Sequence, residues 1–215
     1  MKKTICIILA TVFTVLLGVS GYFIFDYYTE AEKQTQMYDS LVQIVEDSES
    51  KAVEPIKYSE DKTILPELTE LYQQNSDLVG WICIEDTKIN YPVMQTVETS
   101  NYYLRRGFDK KYTVYGCPYV QEDCDVSKPS DNVVIYGHHM NNGTMFADLE
   151  KFKNEEFWQE HKIIDFNTLT EKNKYEVLAV FKTAVYTDSS DSFKYYRFTD
   201  AQSPEEFKSY VDKCK

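Results

Sequence analysis

From Ile5 to Phe25 the chain carries no charged residue. That is about the 20 apolar residues a helix needs to cross a bilayer, and in hydrocarbon an open chain satisfies its backbone only as a helix. Lys2 and Lys3 precede the run, so the positive-inside bias keeps the N-terminus in the cytoplasm and sends everything after residue 28 outside. Gly18, Ser20 and Gly21 leave a cleavable signal as the alternative. Tyr22-Phe-Ile-Phe25 continues the apolar run past them, which favours a retained anchor.

The remainder of the 215 residues holds one anchored domain or two small ones. Aromatic content is 15%, with 18 Tyr, and the apolar runs are short and punctuated, which predicts a mainly β domain with flanking helices. A net charge of −12 with no basic stripe excludes binding to a nucleic-acid backbone. Cys6 lies in the apolar run; Cys83, Cys117, Cys124 and Cys214 face an oxidising side. Cys117 and Cys124 enclose six residues, and either close a loop as a disulfide or stand as separate small residues beside a strand end.

Residues 1–28 read as stub and anchor, 29–64 as helical stalk or linker, and 65–215 as the working domain. Met37, Leu41, Ile44 and Val45 give Thr29–Glu46 a helical pattern, and Asp47–Lys62 reads as a charged crossing. Pro66 opens a second helix ending near Asn75. Val79–Ile84, Lys88–Met94, Tyr112–Val120, Lys162–Phe166 and a long Tyr175–Tyr186 read as strands, with Pro92 marking an edge or a bulge. Asn154 caps a short helix with Glu155 and Glu156 in its first turn. Ser203-Pro-Glu-Glu206 is a capping box, and Phe207, Tyr210, Val211 and Cys214 make the buried stripe of the helix that follows.

Between these pieces lies Asn132–Phe152. Val133, Val134 and Ile135 form a β-branched run that reads as a strand buried on both faces and ended by Gly137. His138 then stands at the mouth of that strand, where a rigid element presents an imidazole to a cleft. Asn142-Gly143 turns the chain, and Thr144 caps a short helix with Met145, Leu149 and Phe152 on its apolar face. His139 adjoins His138 but points to the opposite side of an extended chain, so the pair predicts no metal site; no cofactor is called for. Asp123 and Asp125 lack calcium-loop spacing, and there is no Gly-x-Ser-x-Gly for serine acyl transfer.

Four ordered stretches carry a resemblance: Asn75–Ile82, Thr87–Gln95, Asn101–Leu104, and Val133–Met140 with Gly143–Leu149. Together they resemble class B sortases, the membrane-anchored cysteine transpeptidases of Gram-positive bacteria. The resemblance implies an eight-stranded mixed β-barrel decorated by helices. It also implies a reaction in which a cysteine thiolate attacks the threonine carbonyl of a C-terminal sorting signal in a secreted protein, and a cell-wall precursor amine resolves the thioacyl intermediate. His138, directly after Tyr136-Gly137, matches the family histidine. Tyr136 and Asn101 match positions that border the substrate cleft. The implied partners are sorting-signal proteins, the wall amine and the membrane.

The family nucleophile lies in Thr-Leu-x-Thr-Cys, followed by an arginine on a final strand, and the 215 residues contain neither. Cys214, in Asp-Lys-Cys-Lys on a helical stripe, is a poor substitute. Arg105, Arg106 and Arg197 are the only arginines, none in the family context. The expectation is therefore a barrel incomplete at its C-terminus and inactive alone, from an interrupted reading frame or incomplete record, or from a truncated product. The alternative function is a membrane-anchored binding or scaffold protein that kept the cleft without the chemistry.

Overall fold

Strand β1 (Leu78–Cys83) has partners on both edges, and the sheet grows outward from it. The computed structural model describes residues 2–49, 54, 56–187 and 189–215. Met1, and residues 50–53 and 55 of the expected Asp47–Lys62 crossing, lie outside the described residues. On one side β1 pairs antiparallel with β2 (Asn90–Met94), aligning Ile82 with Tyr91. Next come β3 (Tyr119–Val120), parallel to β2 through Met94 and Tyr119, and β4 (Ile135–Tyr136), antiparallel to β3. On the other side β1 pairs with β5 (Ile163–Thr168), and β5 with β6 (Lys174–Glu176), both antiparallel. The order β4-β3-β2-β1-β5-β6 makes a mixed, curled half-barrel of six strands among the described residues, where the sequence implied eight.

Pro92 sits in an interior strand, not at an edge. Only Met94 of β2 is registered with β3, so the missing N–H falls off that ladder. Leu78, Ile82, Val93, Met94 and Phe166 are buried and form the sheet's share of the core.

The chain divides into two units, Met1–Ser40 and Leu41–Lys215. Helix α1 runs unbroken over Lys2–Glu49, so the expected helix from Thr29 is the continuation of the apolar one. It is the one described helix long and apolar enough to cross a membrane. Thr11 and Thr14 turn their hydroxyls back to the Ile7 and Ala10 carbonyls, which satisfies them without water. Within the second unit, α2 (Pro66–Gln74) has Pro66 in its first turn, as predicted, and buries Leu68 and Leu71.

Asn75 follows α2 and is itself buried. Its Nδ2 donates to Tyr103 Oη (2.9 Å) and to the Phe108 carbonyl (2.7 Å), and its Oδ1 accepts from the Asp77 N–H at 3.0 Å. The Tyr103 hydroxyl in turn donates to Asp77 Oδ2 at 2.7 Å. This closed knot fixes the 3₁₀ turn Tyr102–Arg105 against the end of α2.

Five expectations are corrected. The β4 pairing begins at Ile135, and its two residues are half-buried; only Val134 of the β-branched run is buried, because β4 is an edge strand of a single pair. Thr144 is not a cap: Met145 stands before the 3₁₀ helix Phe146–Lys153 at φ 57°, its N–H taken by Tyr91 Oη at 3.1 Å. Leu149 on that helix is exposed, while Met145 and Phe152 are buried. Of the long strand Tyr175–Tyr186 only β6 forms, since no partner pairs with the rest. The final helix, α3 by length after the short Asn154-capped turn Glu155–Glu160, spans Pro204–Cys214 with Ser203 Oγ accepting from the Glu206 N–H, yet none of its residues is buried. Cys214 is therefore half-exposed and not on a buried stripe. Cys117 and Cys124 are both buried, and their thiols donate separately to the Pro92 and Asn132 carbonyls at 3.6 and 3.4 Å.

Candidate active site

Two short arms of backbone frame the site: Tyr136–His138, leaving strand β4, and Asn101–Leu104, entering the 3₁₀ turn. They are cross-linked twice. At one end Tyr119, paired with Tyr136 across β3 and β4, donates its hydroxyl to Asn101 Oδ1 at 2.7 Å. At the other, His138 Nε2 lies 2.8 Å from the Leu104 carbonyl oxygen. The His138 ring is half-buried, and its backbone carbonyl accepts from the Phe146 N–H at 2.8 Å. Gly137 is required beside it, because a Cβ there would run into the Phe146 ring.

Asn101 and Tyr136 line one open cleft of about 450 Å³ together with Gln121, Tyr196 and Arg197. Asn101 holds φ 56°, a left-handed conformation that asparagine tolerates better than most residues. Tyr136 donates to Gln121 Oε1 at 2.7 Å and stands 5.4 Å from the Tyr119 ring. Burial pushes both the Tyr136 and the Tyr119 hydroxyl up to about 12, so both remain neutral donors at physiological pH. Glu122 and Asp123 bring negative charge to the rim and Arg197 positive charge.

The predicted residues thus fall together: Tyr136 and Asn101 share the cleft, and His138 continues the same wall. Sequence reasoning missed Gln121, Tyr119 and Arg197. The Tyr195-Tyr196-Arg197 run, two aromatic residues and one of three arginines after a Ser/Asp-rich stretch, was the available signal for the last. Arg105 and Arg106 serve the scaffold: Arg105 reaches the Val114 carbonyl at 3.4 Å, and Arg106 stacks over Tyr102 at 4.3 Å. His139 lies outside the cleft, bridging to Met145 and 3.9 Å from Glu150.

Burial pushes Cys83 and Cys124 up, the wrong direction for a thiolate. Cys214 belongs to a separate groove with Phe181, Tyr186 and Phe193.

Residues 82–205 match the sortase domain family. The chain is 27% identical to sortase B of Staphylococcus aureus over 215 residues, covering all of this chain and 81% of that protein. It is 29% identical to sortase B of Listeria monocytogenes, over 94% of this chain and 77% of that one. Among solved structures, a Staphylococcus aureus sortase B–substrate complex superposes with a TM-score of 0.73 at 27% identity, covering 87% of this chain and 79% of that one. With this half-barrel fold and the sortase domain matched along more than half its length, the chain belongs to the sortase family, on its class B branch.

Proposed function

We propose that this domain seats the C-terminal sorting signal of a secreted protein in the cleft between Asn101, Tyr136 and Arg197, and that His138 moves protons for a cysteine-type transpeptidation. The observation that supports this reading is that His138, two residues after cleft-lining Tyr136, lies 2.8 Å from the carbonyl of Leu104, in the turn that follows cleft-lining Asn101. In such a reaction a thiolate attacks the threonine carbonyl, the imidazolium protonates the leaving amine, and the imidazole then takes a proton from the incoming cell-wall amine. Neutral phenol and carboxamide groups suit a peptide backbone, which offers both donors and acceptors. The apolar helix anchors the domain outside the cytoplasm, with Lys2 and Lys3 inside.

The thiolate is the part these 215 residues do not provide: Thr-Leu-x-Thr-Cys is not among them, nor the arginine that follows it in the family. The expectation put to the test is that these 215 residues bind a sorting-signal peptide without cleaving it. The purified chain is incubated with fluorogenic sorting-signal peptides beside His138→Ala and Tyr136→Ala controls. Expected are no cleavage above His138→Ala, and saturable binding weakened about tenfold or more by Tyr136→Ala, a loss of ~1.4 kcal/mol. His138-dependent turnover overturns the inactivity, and binding indifferent to Tyr136 overturns the cleft.

A further inference from the structure

An imidazole that shuttles protons has two nitrogens, and which of them does the work is set by what holds the other. His138 Nε2 is 2.8 Å from the Leu104 carbonyl oxygen. A carbonyl oxygen only accepts, so this bond exists only while Nε2 carries a hydrogen. We propose that the Leu104 carbonyl is the positioning group of His138: it keeps the proton on Nε2 in both charge states of the ring and leaves Nδ1 as the nitrogen that exchanges protons with the reacting groups. The proposal rests on His138 being the general acid and base.

The carbonyl is built to stay in place. Tyr103, next to it, is fully buried, with its hydroxyl in the Asn75–Asp77 knot and its carbonyl accepting from the Cys117 N–H at 3.0 Å. The Leu104 N–H is taken by the Asn101 carbonyl at 3.0 Å. Gly116 passes behind at φ +61°, so close that a Cβ there would stand 2.6 Å from the Leu104 oxygen. The ring is held at its other end through the backbone, where the Phe146 N–H grips the His138 carbonyl. A catalytic imidazole fixed at two points by elements that are themselves packed is preorganised.

The proton count closes on one nitrogen. In acylation a cysteine thiolate forms the C–S bond, the C–N bond breaks, and Nδ1 gives its proton to the leaving amine, leaving a neutral ring with hydrogen on Nε2. In deacylation the amine forms its bond to carbon, the C–S bond breaks to regenerate thiolate, and Nδ1 takes the amine's proton. Nε2–H is unchanged throughout. Because the 3₁₀ turn that carries Leu104 begins beside Asn101 in the cleft, peptide seating and ring orientation share one element.

The test uses the 215-residue chain in detergent micelles, labelled with ¹⁵N histidine, with signals assigned through His139→Gln and His161→Gln. Long-range ¹H–¹⁵N spectra at about pH 8.5, well above the ordinary imidazole value, read the tautomer of each neutral ring. The expected result is an Nδ1–H population at His138 about fivefold below that of the same residue in the urea-unfolded chain, the size one ordinary hydrogen bond gives. Gly116→Ala, which presses on the Leu104 oxygen, returns His138 towards the unfolded ratio while His139 and His161 stay put. If that variant unfolds, all three histidines move together and the wild-type ratio alone decides. A folded wild-type ratio equal to the unfolded one overturns the proposal. A mobile ring in a chain that still binds peptide through Tyr136 sinks the positioning role alone; a locked ring in a chain that ignores peptide supports it and sinks the cleft reading.

Discussion

The two walls of the cleft are made differently. Asn101 and Tyr136 stand on a wall backed by buried Tyr103, Tyr115, Cys117 and Tyr119 and tied through Asn75 to helix α2. Tyr196 and Arg197 belong to 177–201, a stretch with no strand among its described residues, in which Leu178, Val180, Phe181 and Val185 are exposed. That second wall hangs on a hydrogen-bonded strap. Asn132 donates its Nδ2 to the Phe198 carbonyl at 2.7 Å and its N–H to the Thr199 carbonyl at 2.8 Å, while Asp131 Oδ2 accepts from the Ala201 N–H at 2.9 Å. One wall is held by packing and the other by a few polar contacts near solvent, so the second opens at lower free energy.

The strongest way to break that contrast is at the knot. Asn75→Ala strands the Phe108 carbonyl, removes the donor to the Tyr103 hydroxyl and is expected to cost ~3 kcal/mol in urea unfolding of the domain; a loss under ~1 kcal/mol shows that the first wall is no better anchored than the second. At the strap, Asn132→Ala is expected to speed amide exchange of residues 196–201 about tenfold, equivalent to ~1.4 kcal/mol, and to leave β1 unchanged. Equal acceleration in β1 abolishes the distinction.

Asp148, buried on the 3₁₀ helix Phe146–Lys153, offers a smaller test. Burial opposes its ionisation, but the Lys88 N–H and the Lys151 ammonium outweigh that and hold the carboxyl below the usual carboxylate range. A carboxyl whose folded value is depressed adds stability above its unfolded value, about pH 4, and loses it as the pH falls through the folded one. Asp148→Asn is therefore expected to flatten the acid limb of the unfolding midpoint against pH by ~1 kcal/mol; an unchanged limb removes Asp148 from the account. The smallest effect is expected on the other side: Val185→Ser, at 89% exposure, shifts stability by less than ~0.5 kcal/mol. A larger loss means that Val185 is covered in solution.

The sequence was readable where local chemistry decides. Pro66, the Asn154 cap, the Ser203 cap and the β1 and β2 runs all landed, because each signal lies within a few residues of its effect. It was unreadable where a distant partner decides. Tyr175–Tyr186 has the composition of a strand, but a strand exists only against a neighbour, and pairing stops at Glu176. Thr144 has the chemistry of a cap, yet Tyr91, more than fifty residues upstream, takes the Met145 N–H and sets the turn. In the candidate site, His138, Tyr136 and Asn101 were named through the resemblance. Arg197 was not, because its place in the cleft depends on the strap from Asn132, a contact between segments more than sixty residues apart.

Tyr119 touches both halves of the recognition surface, its hydroxyl on Asn101 and its ring against Tyr136. Asn101 and Tyr136 are thus neighbours by proxy, and their substitutions will not behave as independent inheritances. A change at either one rewrites the background in which the other is selected, so drift in ligand preference along this lineage should proceed by paired steps through a shared intermediary rather than one side chain at a time.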